Sequence, residues 1–278
     1  MNSVEKTPSS HRRVAHPRGS GRMPQGKVGR RDITDALTAS LKRLPYALAF
    51  WEGGSAAFGR ADEWSDLDLY VLVKEGRAAD AFRAIERALE GLSPIELTYP
   101  VLSGFEGVSQ KFYRLRDANE FAVVDLAILT PDSPENFLTP EIHGRNLFYF
   151  NKRGVAEARP LDKPSFDKRR RERLERLVLR FEMFNNYVAK ELERGHSLEA
   201  LEDYRAITLA TLVEALRMKY APLHYDFRMH YVDRELPSSA VKRLVRLSYV
   251  RNQQDLRNNY REATRWCTQV LGQISNMV

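Results

Sequence analysis

Apolar positions follow two rhythms along this chain, and the change between them divides it. Short apolar runs at Ala47–Trp51, Leu69–Val73 and, interrupted only by Asp125, Phe121–Leu129 read as buried strands. Further strands are expected near 94–101 and 111–116, and Leu147-Phe148-Tyr149-Phe150 reads as a last one, ending in a turn at Asn151–Gly154. Between them, Ile33, Leu37, Leu41 and Leu44 recur at helical spacing over 32–44, and Phe82, Ile85 and Leu89 do so over 78–91, where Gly91 ends the helix. Pro131, Pro134 and Pro140 mark a loop with at most a short helix. Residues 155–165, with Pro160 and Pro164, read as a linker.

Beyond the linker the period is helical throughout. Leu174, Leu177, Val178, Phe181 and Phe184 form a stripe over 166–194. Ser197 suits the cap of a second helix reaching Tyr220, which Pro222 stops. Pro237 and Ser238 start a short helix, and 252–275 form the last. There is no internal repeat. The chain is therefore expected to be α+β, with a strand-bearing domain at 32–154, a linker at 155–165 and an all-helical domain at 166–278.

Composition narrows the class. At 278 residues and 43% hydrophobic content the chain can build a real core. No apolar run approaches the ~20 residues of a membrane span. A lone cysteine, Cys267, excludes an intramolecular disulfide and fits a reducing, cytoplasmic setting. The net charge of +7 looks like a nucleic-acid signal, but its location changes that picture. Residues 1–31 hold eight Lys/Arg against Glu5, which accounts for the whole +7; the remaining 36 basic and 36 acidic residues cancel. That stretch is rich in Pro, Gly, Ser and Arg and is expected to be a disordered basic tail. It lacks the apolar region of a secretory signal. A nucleic-acid arm, an organelle presequence and an over-called start are alternatives to the preferred reading, a dispensable leader. The run Lys168–Arg173 is offset by Glu172, Glu175 and Glu182, so a solvated helix face is favoured over a phosphate contact there.

Candidate chemistry concentrates around Gly53-Gly54-Ser55, which is followed after ten intervening residues by Asp66-Leu67-Asp68. Two glycines let the backbone turn sharply and approach a ligand closely. Ser55 suits a helix cap, and free N–H groups at a helix start favour a phosphate. Asp66 and Asp68 open a strand, where residues i and i+2 project from one face about 6.5–7 Å apart at Cα. Paired carboxylates of this kind hold Mg²⁺, and two such ions about 3.5–4 Å apart clamp both oxygens of an in-line displacement. Asp125, inside the apolar run Phe121–Leu129, is the candidate third carboxylate, because a charge there is costly unless paired or metal-bound. Glu96 is a weaker candidate on a less apolar strand. Arg60 could steady a triphosphate or be a plain surface charge. Ser65 fits a turn-shaping role better than substrate contact. No histidine pair has metal spacing; His224 and His230 read as packing residues in an aromatic loop with Tyr225, Phe227 and Tyr231, a loop that could instead stack a substrate ring.

The order strand, Gly54-Ser55 turn, Asp66-Leu67-Asp68-Leu69 strand, later Asp125 strand resembles the signature of the DNA-polymerase-β-like nucleotidyltransferase superfamily over roughly residues 45–130. A single-copy core followed by a helical domain looks like its small-molecule branch, which includes aminoglycoside and lincosamide nucleotidyltransferases. The resemblance implies a small mixed sheet with helices on one side, two Mg²⁺ ions and an NTP donor, with ATP preferred. It implies that Gly53, Gly54 and Ser55, flanked by Arg60 and Ser65, bind the nucleotide. It implies that Asp66, Asp68 and Asp125 bind metal and that Asp125 serves the catalytic metal or activates the acceptor hydroxyl. The expected activity is transfer of a nucleoside monophosphate to a hydroxyl of a small molecule, with release of pyrophosphate. The helical half carries no motif that names the acceptor. Transfer to RNA or to a partner protein is the alternative, and a non-catalytic nucleotide-binding module a second one.

Overall fold

The computed structural model describes residues 27–102 and 107–275. The expectation for residues 1–26 lies outside the described residues. Contacts divide the chain into two units. The first runs to Phe50 and resumes at Ala61–Asp132; the second holds Trp51–Arg60 and everything from Ser133.

The first unit opens with α1 (Arg30–Lys42) and β1 (Ala47–Glu52), whose last two residues pass into the second unit. After the one-turn α2 (Gly54–Ala57) come β2 (Leu67–Val73), α3 (Ala78–Glu90), β3 (Ile95–Pro100), β4 (Val108–Leu115) and β5 (Val124–Leu129). With β6 (Leu147–Asn151), these strands make a mixed sheet in the order β3-β4-β5-β2-β1-β6. β2 runs parallel to β5, while β4 is antiparallel to both β3 and β5. Alternation fixes which face is covered. Leu67, Leu69, Val71 and Val73 are buried, and the intervening Asp68, Tyr70 and Leu72 are half-buried. Lys111 and Tyr113 of β4, whose register partners are Leu126 and Val124, both reach Glu86 of α3. That places Leu67, Leu69, Val124 and Leu126 on the helix-covered face, where α1 and α3 pack together. Asp68 and Asp125 belong to the opposite face.

The basic stretch ends earlier than expected. Val28 N–H donates to Asp117 O and pairs with Ala118, and Arg30 and Arg31 form the first turn of α1. Gly29 N–H donates to the Asp32 carboxylate at 2.8 Å, closing that helix start in place of a Ser or Thr cap. Four-residue Pro-led α4 (Pro140–His143) is the short helix of the proline loop.

The second unit is mostly helical: α5 (Lys163–Phe184), α6 (Tyr187–Glu193), α7 (Ser197–Asp203), α8 (Ala210–Tyr220), α9 (Val232–Glu235), α10 (Ser238–Ser248) and α11 (Gln253–Ser275). α5 begins inside the expected linker, where the Asp162 carboxylate accepts from Ser165 N–H at 3.3 Å and Pro164 occupies the first turn. The single helix expected over 197–220 is interrupted by a π-helical segment, Tyr204–Leu209. The core gathers Leu177, Tyr204, Leu212, Leu216, Leu247 and Cys267, all under a few per cent exposed.

The expected boundary at residue 154 is also moved. Gly53–Ser55 and β6 group with the helical unit, because the chain after Phe50 makes its contacts there. The Trp51 ring lies 5.6 Å from Phe148, the Tyr149 hydroxyl donates to Glu52 Oε2 at 2.5 Å, and Arg145 N–H donates to Ala57 O at 2.9 Å.

Candidate active site

In the first unit the three expected carboxylates come from two adjacent parallel strands. Asp68 and Asp125 are direct register partners, so both point from the face away from α3 and both are half-buried. Asp66 lies one residue before β2, on the same side as Asp68 but exposed; its Oδ1 accepts from Val123 N–H at 3.4 Å. Arg30 Nη1 donates to the carbonyls of Ser65 and Asp66 at 2.6 and 2.8 Å and fixes the entry to β2. Ser65 serves that entry too, as its sequence suggested: its hydroxyl donates to Asp62 Oδ1 at 2.8 Å and accepts from Asp62 N–H at 2.9 Å.

Asp125 has the most distinctive surroundings. Gln110 Nε2, on the same sheet face of β4, donates to Asp125 Oδ1 at 2.6 Å. Burial pushes the Asp125 carboxyl above the usual carboxylate range; the Gln110 hydrogen bond opposes this in part, and the negative charge of Asp66 adds to it. Asp125 thus holds a proton more readily than an ordinary carboxylate, and its Oδ2 has no hydrogen-bond partner among the described residues. Gln110 carried no signal in the sequence, since an amide in a strand of mixed polarity looks like any surface residue.

These donors suit a hard cation, which takes one or two carboxylates and keeps waters. Among the described residues, however, no three His, Cys, Asp or Glu side chains converge as a metal-binding group. Asp68 and Asp125 are paired by register; Asp66 is not gathered with them into a three-carboxylate cage. Glu96 is taken by Arg114 Nε at 2.9 Å, on the exposed strand β3.

The glycine turn sits in the second unit and is held from behind. Gly54 has φ +51°, a left-handed conformation that a side chain would strain. Gly144, at φ +72°, has its α-carbon so close to α2 that a Cβ there would lie 2.8 Å from Ala57 O. Ser55 and Ala56 are half-buried. Arg60 is committed within this unit: Nη1 pairs with Glu235 Oε1 at 3.0 Å, and the guanidinium lies 4.9 Å from the ring centres of both Phe58 and Tyr231.

Glu235 is the hub of that network. It also accepts from Arg217 Nη1 at 2.8 Å and faces His224 Nδ1 at 3.1 Å. Arg217 is fully buried and ties down the aromatic loop through the carbonyls of His224, Arg228 and His230. Burial alone would raise the Glu235 carboxyl, but hydrogen bonds from Arg217 and Arg60 and the nearby His224 hold it below its ordinary value. His224 stacks on Phe227 at 4.4 Å, and its Nε2 faces Ile142 O at 3.1 Å. It is a packing residue, as expected. Burial lowers the pKa of neighbouring His143, whose Nδ1 accepts from Thr139 N–H. The run Lys168–Arg173 is also engaged, with Arg170 near Asp167 at 3.4 Å and Arg173 bidentate to Glu214.

No protein-family model matches the chain, and no curated protein matches it. Two solved structures run along most of its length. An aminoglycoside 6-adenyltransferase from Bacillus subtilis is 12% identical over 87% of this chain and 90% of its own, with a TM-score of 0.29. A spectinomycin adenyltransferase from Enterococcus faecialis, solved with ATP and spectinomycin, is 12% identical over 88% of this chain and 99% of its own, with a TM-score of 0.35. Likeness this remote decides nothing about the chemistry, which rests on the residues themselves. No described helix is long and apolar enough to cross a membrane.

Proposed function

We propose that the chain is a nucleotidyltransferase that moves a nucleoside monophosphate, AMP by preference, from an NTP to a hydroxyl of a small-molecule acceptor. The observation that carries this reading is the in-register pair Asp68 and Asp125 on parallel strands, on a β2 that follows the Gly53-Gly54-Ser55 turn in sequence. The acceptor oxygen attacks the α-phosphorus in line, the bond from that phosphorus to the α–β bridging oxygen breaks, and pyrophosphate leaves.

Asp125 takes the hydroxyl proton on Oδ2. Its raised affinity for a proton favours that task, and the Gln110 hydrogen bond on Oδ1 holds the carboxyl plane in place. Asp68, joined by Asp66 from the same side of the strand, would hold Mg²⁺, which neutralises charge on the phosphate oxygens when bound. Gly54 and Ser55 offer backbone N–H groups and a hydroxyl to the triphosphate. Arg60, tied to Glu235, supports the turn in this scheme and is left out of the phosphate contacts.

The test is incubation of the full chain with Mg²⁺, each α-labelled NTP in turn and a panel of aminoglycosides, lincosamides, total tRNA and cell-extract protein. Label reaching a small molecule, with pyrophosphate released, supports the reading. Label reaching only tRNA or protein moves the acceptor class. ATP binding by calorimetry without transfer from any of the four nucleotides would leave a binding module.

A further inference from the structure

Within the helical unit, α5, the π-helical segment and α8 help enclose a cavity of about 680 Å³, inside the ~300–1,000 Å³ range of small-molecule sites. Its lining has an uneven charge. Four arginines face it against Glu214 and Asp226, a net of +2. Arg173 is satisfied by Glu214 through contacts of 2.5 and 2.7 Å. Arg180, Arg205 and Arg228 have no carboxylate partner among the described residues; Arg180 reaches only a carbonyl, that of Ala206, at 3.3 Å. Three guanidiniums against the one free acid Asp226 attract an anion. The rest of the wall is apolar, from Leu177, Leu209, Val213 and Met229.

A second, independent observation points to a ligand. Thr211 lines the cavity, is 1% exposed, and its hydroxyl has no hydrogen-bond partner among the described residues. A buried hydroxyl left unpaired destabilises the protein that carries it, and such groups are uncommon. The π turn supplies two more lining residues, Arg205 and Leu209, and π turns inside α-helices concentrate at functional sites.

We propose that this cavity binds a small organic anion. A carboxylate, phosphate or sulfonate group lodges among Arg180, Arg205 and Arg228, an apolar or aromatic body packs on Leu177, Leu209 and Val213, and a polar atom of the ligand satisfies Thr211. The cavity shares no residue with the carboxylates of β2 and β5, so this site stands or falls separately from the transfer reaction.

The experiment uses the full chain and two dyes of similar shape, the anionic 8-anilinonaphthalene-1-sulfonate and the neutral N-phenyl-1-naphthylamine, titrated by fluorescence and calorimetry. The expected result is saturable one-site binding of the anionic dye, at least tenfold tighter than the neutral one. The double variant Arg205→Gln/Arg228→Gln should lose at least tenfold in affinity for the anionic dye, while Asp68→Asn binds it like the wild type. Circular dichroism checks that the variant is folded, and Arg205→Gln alone, with a smaller loss, serves if the double variant is not. Equal affinity for both dyes, no saturation, or an arginine variant that binds as tightly as wild type would overturn the proposal.

Discussion

Asp68 and Asp125 stand opposite each other on neighbouring parallel strands, on the sheet face that α3 does not cover. Two carboxylates held this close by backbone register repel unless one carries a proton or a cation lies between them. Asp68→Asn keeps the size and hydrogen-bonding reach of the side chain but halves the charge of the pair. Label transfer should fall by roughly 10²–10³-fold or more, the loss typical when one preorganised electrostatic group is removed. The circular dichroism spectrum should be unchanged. Near-wild-type turnover would remove Asp68 from the reaction.

Asp125→Asn separates the proton chemistry from the fold. In the native protein the Asp125 pKa is raised by burial, so the folded state binds that proton more tightly than the unfolded chain does. Stability then falls as pH rises from the ordinary carboxylate value to the raised one, and stays lowered above it. Asparagine carries no charge to desolvate, and its amide oxygen can still accept from Gln110. The variant should match the wild type in melting temperature near pH 3.5 and exceed it at pH 8, although its transfer activity is lost. Thermal melts across that range check the sign. A variant less stable than wild type at pH 8 would contradict the desolvated-carboxylate description.

The strands that carry these carboxylates were legible because their apolar residues leave little choice. β2 alternates Leu67, Leu69, Val71 and Val73 against half-buried positions, and β5 is apolar apart from Asp125. An acid inside such a strand is visible as an anomaly from sequence alone. The start of α1 was hidden, because Arg30 and Arg31 sit in a basic Gly- and Pro-rich context; what fixes them is the local Asp32 cap on Gly29 together with Arg30 reaching the Ser65 and Asp66 carbonyls, a contact over a sequence distance that periodicity does not sense. Arg217 was illegible for a related reason. A charged residue on an otherwise apolar helix reads as the solvent side, yet it is fully buried because three carbonyls and Glu235 replace its water. The domain boundary was misplaced where the chain crosses between units within a single strand, which no composition shift marks.

Arg217 and Glu235 should therefore be far more costly to break than a surface pair. Arg217→Met leaves Glu235 buried with Arg60 as its remaining arginine partner and strips the donors from the carbonyls of His224, Arg228 and His230. Removing one member of a buried ion pair typically costs about 3–5 kcal/mol, and urea denaturation followed by helical circular dichroism should show a loss of that order. Adding Glu235→Leu should recover part of it by removing the stranded charge. A loss below about 1 kcal/mol, the scale of exposed pairs, would mean that the network is solvated.

Cys267 gives a probe of the helical core. It is fully buried on the core side of α11, and burial pushes its thiol pKa up to about 12. The thiolate is the reactive form, so the native thiol should be inert at neutral pH. A disulfide exchange reagent such as 5,5′-dithiobis(2-nitrobenzoate) should label less than a tenth of the protein in an hour at pH 7.5, and close to one equivalent after denaturation. Labelling of the native chain at the rate of a free thiol would show that this core opens readily.

Thr211 is the position where stability and binding should diverge. Its hydroxyl is buried with no hydrogen-bond partner among the described residues, and valine has nearly the same shape without the polar atom. Replacing an unsatisfied buried group by an apolar isostere removes a desolvation penalty of about 1–3 kcal/mol. Thr211→Val should therefore melt about 2–8 °C higher than wild type, given the slope for a domain of this size. A residue retained for packing alone would gain stability and lose nothing. A residue retained for a ligand gains stability and gives up affinity for molecules that place a hydrogen-bonding atom on it. Melts of the ligand-free protein decide the first half, and a valine variant less stable than wild type would mean that the hydroxyl already has a partner, an ordered water for example, and that the cavity's polar demand is met without a ligand.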